Sequence, residues 1–188
     1  MMQIGCVLLT ILLMMALTEY MFLRCKKKIL DLYIWLIFAV YALGYLYFTF
    51  LSRTAGSGAF IELRPFHVYT RLFIDPVAKW DSHKGFGTNF IVTTSPIVRI
   101  ILNILLYYPL GYLLPLLFPK LKPKHVIRIG CLCSIATEAT QYLFKMGWCE
   151  TDDVIHNTLG TAIGVWVWLW QSKRLNAQRS ANPGKGET

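Results

Sequence analysis

Long apolar runs alternate with short basic clusters along this chain, and the alternation predicts membrane helices. The first run, from about Ile4 to Leu23, ends at Arg24, Lys26, Lys27 and Lys28. A second covers about Ile29 to Leu51, and a third runs from about Val98 to Phe118 before Pro119. The basic linker Lys120, Lys122, Lys124 and Arg128 leads into a fourth, from about Ile127 to Met146. A fifth opens after Asp153 and reaches Trp170, with Lys173 and Arg174 beyond it. Each spans roughly 20 residues, the length a helix rising about 1.5 Å per residue needs to cross a hydrocarbon layer of ~30 Å.

The basic clusters also orient the helices. The stretches 24–28, 120–128 and 172–188 carry four Lys and Arg each, whereas the short loop from Lys145 to Asp153 carries one. All three dense clusters share a side only if there are five spans with the amino terminus outside, and short cytoplasmic loops are the ones enriched in Lys and Arg. The expected fold is an all-α integral membrane protein, N-outside and C-inside, with about five transmembrane helices. Residues 1–51 supply two of them, 52–97 an extracytoplasmic loop, 98–171 three more, and 172–188 a polar cytoplasmic tail expected to be disordered. The first helix is expected to be retained, because it lacks a basic leader and a small-residue cleavage site.

The loop 52–97 leaves two readings open. Its middle, Phe66 to Ile74, sets aromatics and aliphatics around Arg71, which suits an interfacial or re-entrant helix on the outer leaflet. It equally suits an extracytoplasmic loop covering the helices. Gly56, Gly58, Gly85 and Gly87 mark turns at its two ends.

Composition sharpens the class. The chain is 55% hydrophobic and 15% charged, against about 25% charged in ordinary soluble domains. Its net charge of +9 sits in topology-setting clusters rather than in a basic stripe interleaved with aromatics, so nucleic acid is not an expected partner. Five cysteines form no CxxC motif and read as small lipid-compatible residues. No cofactor is expected.

Polar groups inside the apolar runs carry the candidate chemistry, since each costs roughly 2 to 3 kcal/mol at the bilayer centre. The third run holds Asn103; the fourth holds Glu138 and Gln141, three residues apart on one helical face; the fifth begins with Asp152, Asp153, His156 and Asn157. At about 1.5 Å per residue, Asn103, Asn157, Gln141 and Glu138 lie roughly 8, 6, 9 and 14 Å below the outer ends of their runs. Three helices thus bring polar side chains to one outer half, which points to a shared site. Capping and the helix dipole are an alternative account of Asp152 or Asp153, not of Glu138 or Asn157. Gly160 and Gly164 form a GxxxG that suits close helix packing, Pro109 predicts a kink in the third run, and Glu19 is expected to snorkel toward Arg24 and the lysines after it.

These residues carry a family resemblance. The segment Asn103 to Gly111, with Tyr107, Pro109 and Gly111 in register, resembles a motif of the VanZ-like membrane proteins. Ser134, Glu138 and Gln141 resemble their acidic helix, Asp152 to Gly160 their Asp-Asp and Asn segment, and Leu63-Arg64-Pro65-Phe66 a short loop element. The likeness runs from about residue 52 to 165. Glu62 and Glu150 depart from an Asn and an Asp common in the family, and many members carry an Arg shortly before that acid, where Lys145 is the nearest candidate here. The resemblance implies a bacterial cell-membrane protein of a family named for a teicoplanin-resistance phenotype, and it implies no reaction.

Three functions compete. The first is binding or protection at the outer leaflet: Asn103, Glu138, Gln141, Asp152, Asp153 and Asn157, roofed by the loop with Arg64, would engage a lipid-linked cell-wall component or a lipophilic glycopeptide antibiotic, with membrane lipids as further partners. The second is an intramembrane enzyme acting on a lipid headgroup, with Glu138 and Asp153 as acid and base, or with Asp152, Asp153 and His156 around a divalent metal. The third is a scaffold whose polar groups only join helices.

Overall fold

The computed structural model of the protein describes residues 2–56, 58–73 and 96–181. The expected turn at Gly85 and Gly87, Ile74 and the end of the polar tail lie outside the described residues. Within them the chain forms α1 (Met2–Arg24), α2 (Lys27–Leu46) continued by a π-helical turn (Tyr47–Leu51), β1 (Gly58–Glu62), α3 (His67–Phe73), α4 (Pro96–Leu117), α5 (Pro123–Leu143), β2 (Met146–Glu150) and α6 (Thr151–Ala181).

Three of these helices are long and apolar enough to cross a membrane: Gly5–Arg24, Lys27–Leu51 and Pro96–Leu117. They mark a membrane protein. α5 and α6, with 21 and 31 residues, have the length, but Glu138, Gln141, the Thr151-Asp152-Asp153 start and the charged end of α6 dilute their apolar character.

The fold is not wholly α-helical as expected. β1 and β2 pair in parallel, Gly58 opposite Met146 through Glu62 opposite Glu150, and Phe60 stacks on Trp148. α5 therefore ends at Leu143 rather than near Met146. Lys145 (φ 54) and Gly147 (φ 129) turn the chain through left-handed backbone, and the Lys145 carbonyl accepts from the Gly58 N–H. At its other end the expected tail is helical as far as Ala181. Leu175 is buried there, and Arg174 pairs with Glu19 of α1. Among the described residues, Glu19 thus pairs with a cation on α6 rather than with Arg24 or the lysines after it.

Side-chain pairings give the helix directions. α4 and α6 run parallel: a Cβ on Gly160 would strike the Ile104 carbonyl, one on Gly164 the Tyr108 carbonyl, and one on Gly111 the Thr161 carbonyl. Their backbones touch because the small residues of the GxxxG remove the side chains between them. α5 runs antiparallel to α6, with Ser134 against Asn157 and Gly130 against Thr161. α2 runs with α5, since Tyr45 meets Thr137 and Thr49 meets Gln141. α1 runs with α6, as Met15 meets Gln171 and Glu19 meets Arg174. The five long helices therefore alternate in direction along the chain.

α4 continues through Pro109 and Pro115. The Tyr41 hydroxyl donates to the Leu106 carbonyl at 3.0 Å, next to the carbonyl that Pro109 leaves without its helical donor. Tyr107, Tyr112, Leu113 and Val126 are fully buried. Leucines such as Leu12, Leu32 and Leu43 stand exposed along α1 and α2, an arrangement water disfavours and lipid does not.

Candidate functional site

Helical spacing stacks polar residues in columns on four helices that face one another near the β1–β2 end. α4 carries Arg99, Asn103 and Tyr107, and α6 carries Asp153, Asn157 and Thr161, each at intervals of four residues. α2, its π-helical turn and the residues after it carry Tyr45, Thr49 and Arg53 at the same interval, and α5 adds Ser134, Thr137, Glu138 and Gln141. Residues four apart lie on one helical face, so the columns form a polar shaft.

Its deepest layer is made of hydroxyls. The Tyr45 hydroxyl meets that of Tyr107 at 2.8 Å and also bonds Thr137. Thr137 and Thr161 anchor their hydroxyls to the carbonyls one turn back, at Cys133 and Asn157. Above them lie amides. The Asn157 side chain donates to Ser134 at 2.9 Å, and Gln141 donates to the Thr49 carbonyl at 3.1 Å, tying α5 to α2.

The top layer is charged. Arg99 grips Glu150 with two bonds, at 3.0 and 2.5 Å, and the Glu150 backbone N–H donates to Glu138 at 3.1 Å. Arg53 lies within electrostatic reach of Glu138, Asp153 and Glu150, and Asp153 within reach of Arg99, Glu150 and Arg53. Burial pushes the Arg53 guanidinium below its ordinary pKa, against the opposing pull of Glu138 and Asp153; an arginine stays cationic regardless. Two guanidinium groups therefore face three carboxyl groups in a half-enclosed space.

Asn103, Glu138, Gln141, Asp153 and Asn157 come together around this shaft. Asp152 and Arg64 do not share it. Asp152, buried, accepts the backbone N–H groups of Phe66 at 2.5 Å and Val68 at 2.8 Å, so it docks α3 and holds Phe66 in its left-handed conformation (φ 62). Arg64 is exposed and chelates Glu62 with bonds of 2.8 and 2.7 Å. Its hydrogen bonds to Glu62 hold that carboxyl down at about 2. His156 meets the Tyr69 hydroxyl at 2.8 Å, which joins α6 to α3. Among the described residues no group of three His, Cys, Asp or Glu is placed to hold a metal ion, and the carboxylate of Asp152 is already engaged with α3. The described part of the 52–97 segment forms β1, which pairs with β2, and α3, which Asp152 and His156 hold against α6.

Arg99, Tyr45 and Tyr107 also line the shaft, although the sequence reading did not count them among its candidate site residues. Glu150 finds its arginine on α4, not at Lys145, which lies in the α5–β2 turn. Counting back four residues from Asn103 reaches Arg99, and forward four reaches Tyr107; that periodicity was the available signal.

Three polar atoms in or beside the shaft are buried without a partner among the described residues: Asn103 Nδ2, His156 Nδ1 and Asn157 Oδ1. One is a donor and one an acceptor, and the histidine nitrogen is either, depending on its tautomer.

No curated protein and no solved structure matches the chain. The sequence profile of the VanZ/LLP1 family does, over residues 29–172, a stretch that starts earlier than the motifs alone suggested and takes in all four polar columns. The chain therefore belongs to the VanZ/LLP1 family.

Proposed function

We propose that the protein spans the cell membrane five times, amino terminus outside, and binds the headgroup of an amphiphile at the outer end of its polar shaft. The amphiphile is a lipid-linked cell-envelope component or a lipophilic glycopeptide of the teicoplanin class. The alternating directions of the five long helices support the span count. So do the outward faces of α5 and α6, where Leu132, Leu143, Trp166 and Trp170 stand exposed while the polar residues turn inward. That inside-out arrangement suits a bilayer.

One observation carries the binding reading. Asn103 Nδ2, His156 Nδ1 and Asn157 Oδ1 are buried with no partner among the described residues, at a cost of about 1–3 kcal/mol each. A scaffold that used polar groups only to join helices would pair them with each other. Unpaired donors and acceptors beside a charged cluster suit a headgroup that offers both, such as a hydroxylated or phosphorylated one. Glu138 and Asp153, electrostatic neighbours beside Arg53 and Arg99, also favour a second reading in which they move a proton on that headgroup.

Mass spectrometry of lipid that copurifies with the protein tests the choice. Binding predicts a specific lipid retained by the native chain and lost, by about tenfold or more, in Glu138→Gln and Asp153→Asn proteins of normal abundance. Unchanged retention in both removes the binding reading. A headgroup-cleaved product formed by native protein and not by Glu138→Gln would favour the enzyme.

A further inference from the structure

Outside the polar shaft, one feature not yet accounted for is an apolar cavity between α2, α4 and α5. α2 and α5 are bridged at Tyr45–Thr137 and at Thr49–Gln141. Beside these bridges the helices stand apart around a cavity of 310 Å³, lined by Tyr41, Tyr45 and Phe50 on one side, Leu110 at the back, and Ala136 and Thr140 on the other. Ala136 is exposed, so the cavity opens sideways between the helices.

Its position relative to the charged layer matters most. Tyr45 and Thr137 line the cavity and also form the hydroxyl layer of the shaft. Phe50, at one edge, is three residues from Arg53; Thr137 and Thr140, at the facing edge, flank Glu138 and Gln141. The apolar chamber therefore shares a wall with the hydroxyl layer of the shaft, and the charged layer lies toward its Phe50 and Thr140 edge. A polar solute has no use for the apolar chamber, and a hydrocarbon has none for the charged layer. An amphiphile fits both. An engineered dry cavity of about 150 Å³ admits benzene, so a cavity of this size admits a segment of hydrocarbon chain.

We infer that the crevice between α2 and α5 takes one hydrocarbon chain of a membrane lipid from the surrounding bilayer, with that lipid's headgroup beside Arg53, Glu138 and Gln141. The inference rests on the headgroup reading for the position of the polar end, and on the crevice alone for the chain. The lipid enters sideways, the chain passing between α2 and α5 past Ala136. Tyr45 and Thr137 separate hydrocarbon from the polar shaft, their hydroxyls bonded to each other and to Tyr107 instead of facing the chain.

The full chain is placed in vesicles of phosphatidylethanolamine and phosphatidylglycerol that include a phosphatidylglycerol with a diazirine halfway along one acyl chain. After illumination, adducts are mapped by peptide mass spectrometry. The expected result is labelling of residues 38–50 and 133–140 at about five times the level on the exposed Leu8–Leu13 face of α1, with loss of that excess in Ala42→Phe and in Ala136→Phe proteins that melt like the native chain. Even labelling across α1, α2 and α5 overturns the crevice site, and needs no variant to do so. Even labelling together with lipid loss in Glu138→Gln would remove the chain site and leave the headgroup reading standing. Concentrated labelling with unchanged retention in Glu138→Gln would do the reverse.

Discussion

Arg99, three residues into α4, and Glu150, at the end of β2, meet through two parallel bonds across fifty-one residues of sequence. Their side chains are only 23% and 13% exposed. The pair does more than close a loop: it fixes the backbone from which Glu150 donates to Glu138, and it sets a cation against Asp153. Removing one partner of a largely buried ion pair costs on the order of 3 kcal/mol. The two partners should not be equivalent. Arg99→Met leaves three carboxyl groups against Arg53 alone, whereas Glu150→Gln leaves two guanidinium groups against two carboxyl groups. Thermal melts in detergent should therefore show the larger loss for Arg99→Met, with the double variant Arg99→Met/Glu150→Met recovering part of it.

Asn103 separates function from stability. Its buried amide nitrogen has no partner among the described residues, so Asn103→Leu, similar in size, removes a desolvated donor without breaking a hydrogen bond of that nitrogen. The unliganded protein should gain about 1 kcal/mol in stability by that argument while its lipid retention falls. A variant that loses stability and keeps its lipid would show instead that the amide joins helices.

Two glycine substitutions form a matched contrast. Among the described residues nothing lies within contact distance of a Cβ added at Gly44 of α2, while at Gly164 it would enter the Tyr108 carbonyl and the Tyr112 amide of α4. Gly44→Ala should leave the protein unchanged or stabilise it by up to about 1 kcal/mol through helix propensity. Gly164→Ala must push α4 away from α6, and should cost more than about 2 kcal/mol, the range of overpacked interiors. Comparing their melting temperatures checks both.

The glycines, the helix positions and the core of the site were legible in the sequence because each is a local signal. Apolar length marks a span, four-residue spacing marks a face, and Glu138 and Asn157 stand out against their apolar neighbours. What was not legible depends on distant partners. Arg99 at the start of an apolar run reads as an interfacial cation, and nothing local says that Glu150 will meet it. β1 and β2 are five residues each and pair across eighty-eight residues, so neither shows a strand pattern of its own. Asp152 and Asp153 are alike in sequence, yet one faces the backbone of α3 and the other the shaft, because α3 approaches only one side of α6. Arg64 turns away to Glu62, two residues before it, which a loop motif does not reveal.

Glu62 and Arg64 also make a pH prediction. The Arg64 hydrogen bonds hold the Glu62 carboxyl at about 2, below its ordinary 4.5. A carboxyl lowered in the folded state contributes stability that is present above its unfolded pKa and lost as pH falls through the folded value, so this contribution fades between about pH 4.5 and 2. Carbon NMR of the Glu62 side chain should show its midpoint rising toward 4.5 in Arg64→Ala. Lipid retention at neutral pH should not change, because neither residue reaches the shaft.

Orientation decides which leaflet the shaft faces. Lys145 stands exposed in the turn between α5 and β2, and Lys122 stands exposed just before α5, so the two mark opposite ends of one helix. In a cysteine-free background, where Cys6, Cys25, Cys131, Cys133 and Cys149 are replaced, Lys145→Cys should react on intact cells with a membrane-impermeant maleimide. Lys122→Cys should react only after the cells are opened. The basic linker beside Lys122 supplies the physical reason, since Lys120, Lys122 and Lys124 resist transfer across the bilayer. The reverse labelling would put Glu138, Asp153 and the charged layer at the cytoplasmic leaflet, and a lipid presented at the cell exterior could then not be what the site binds.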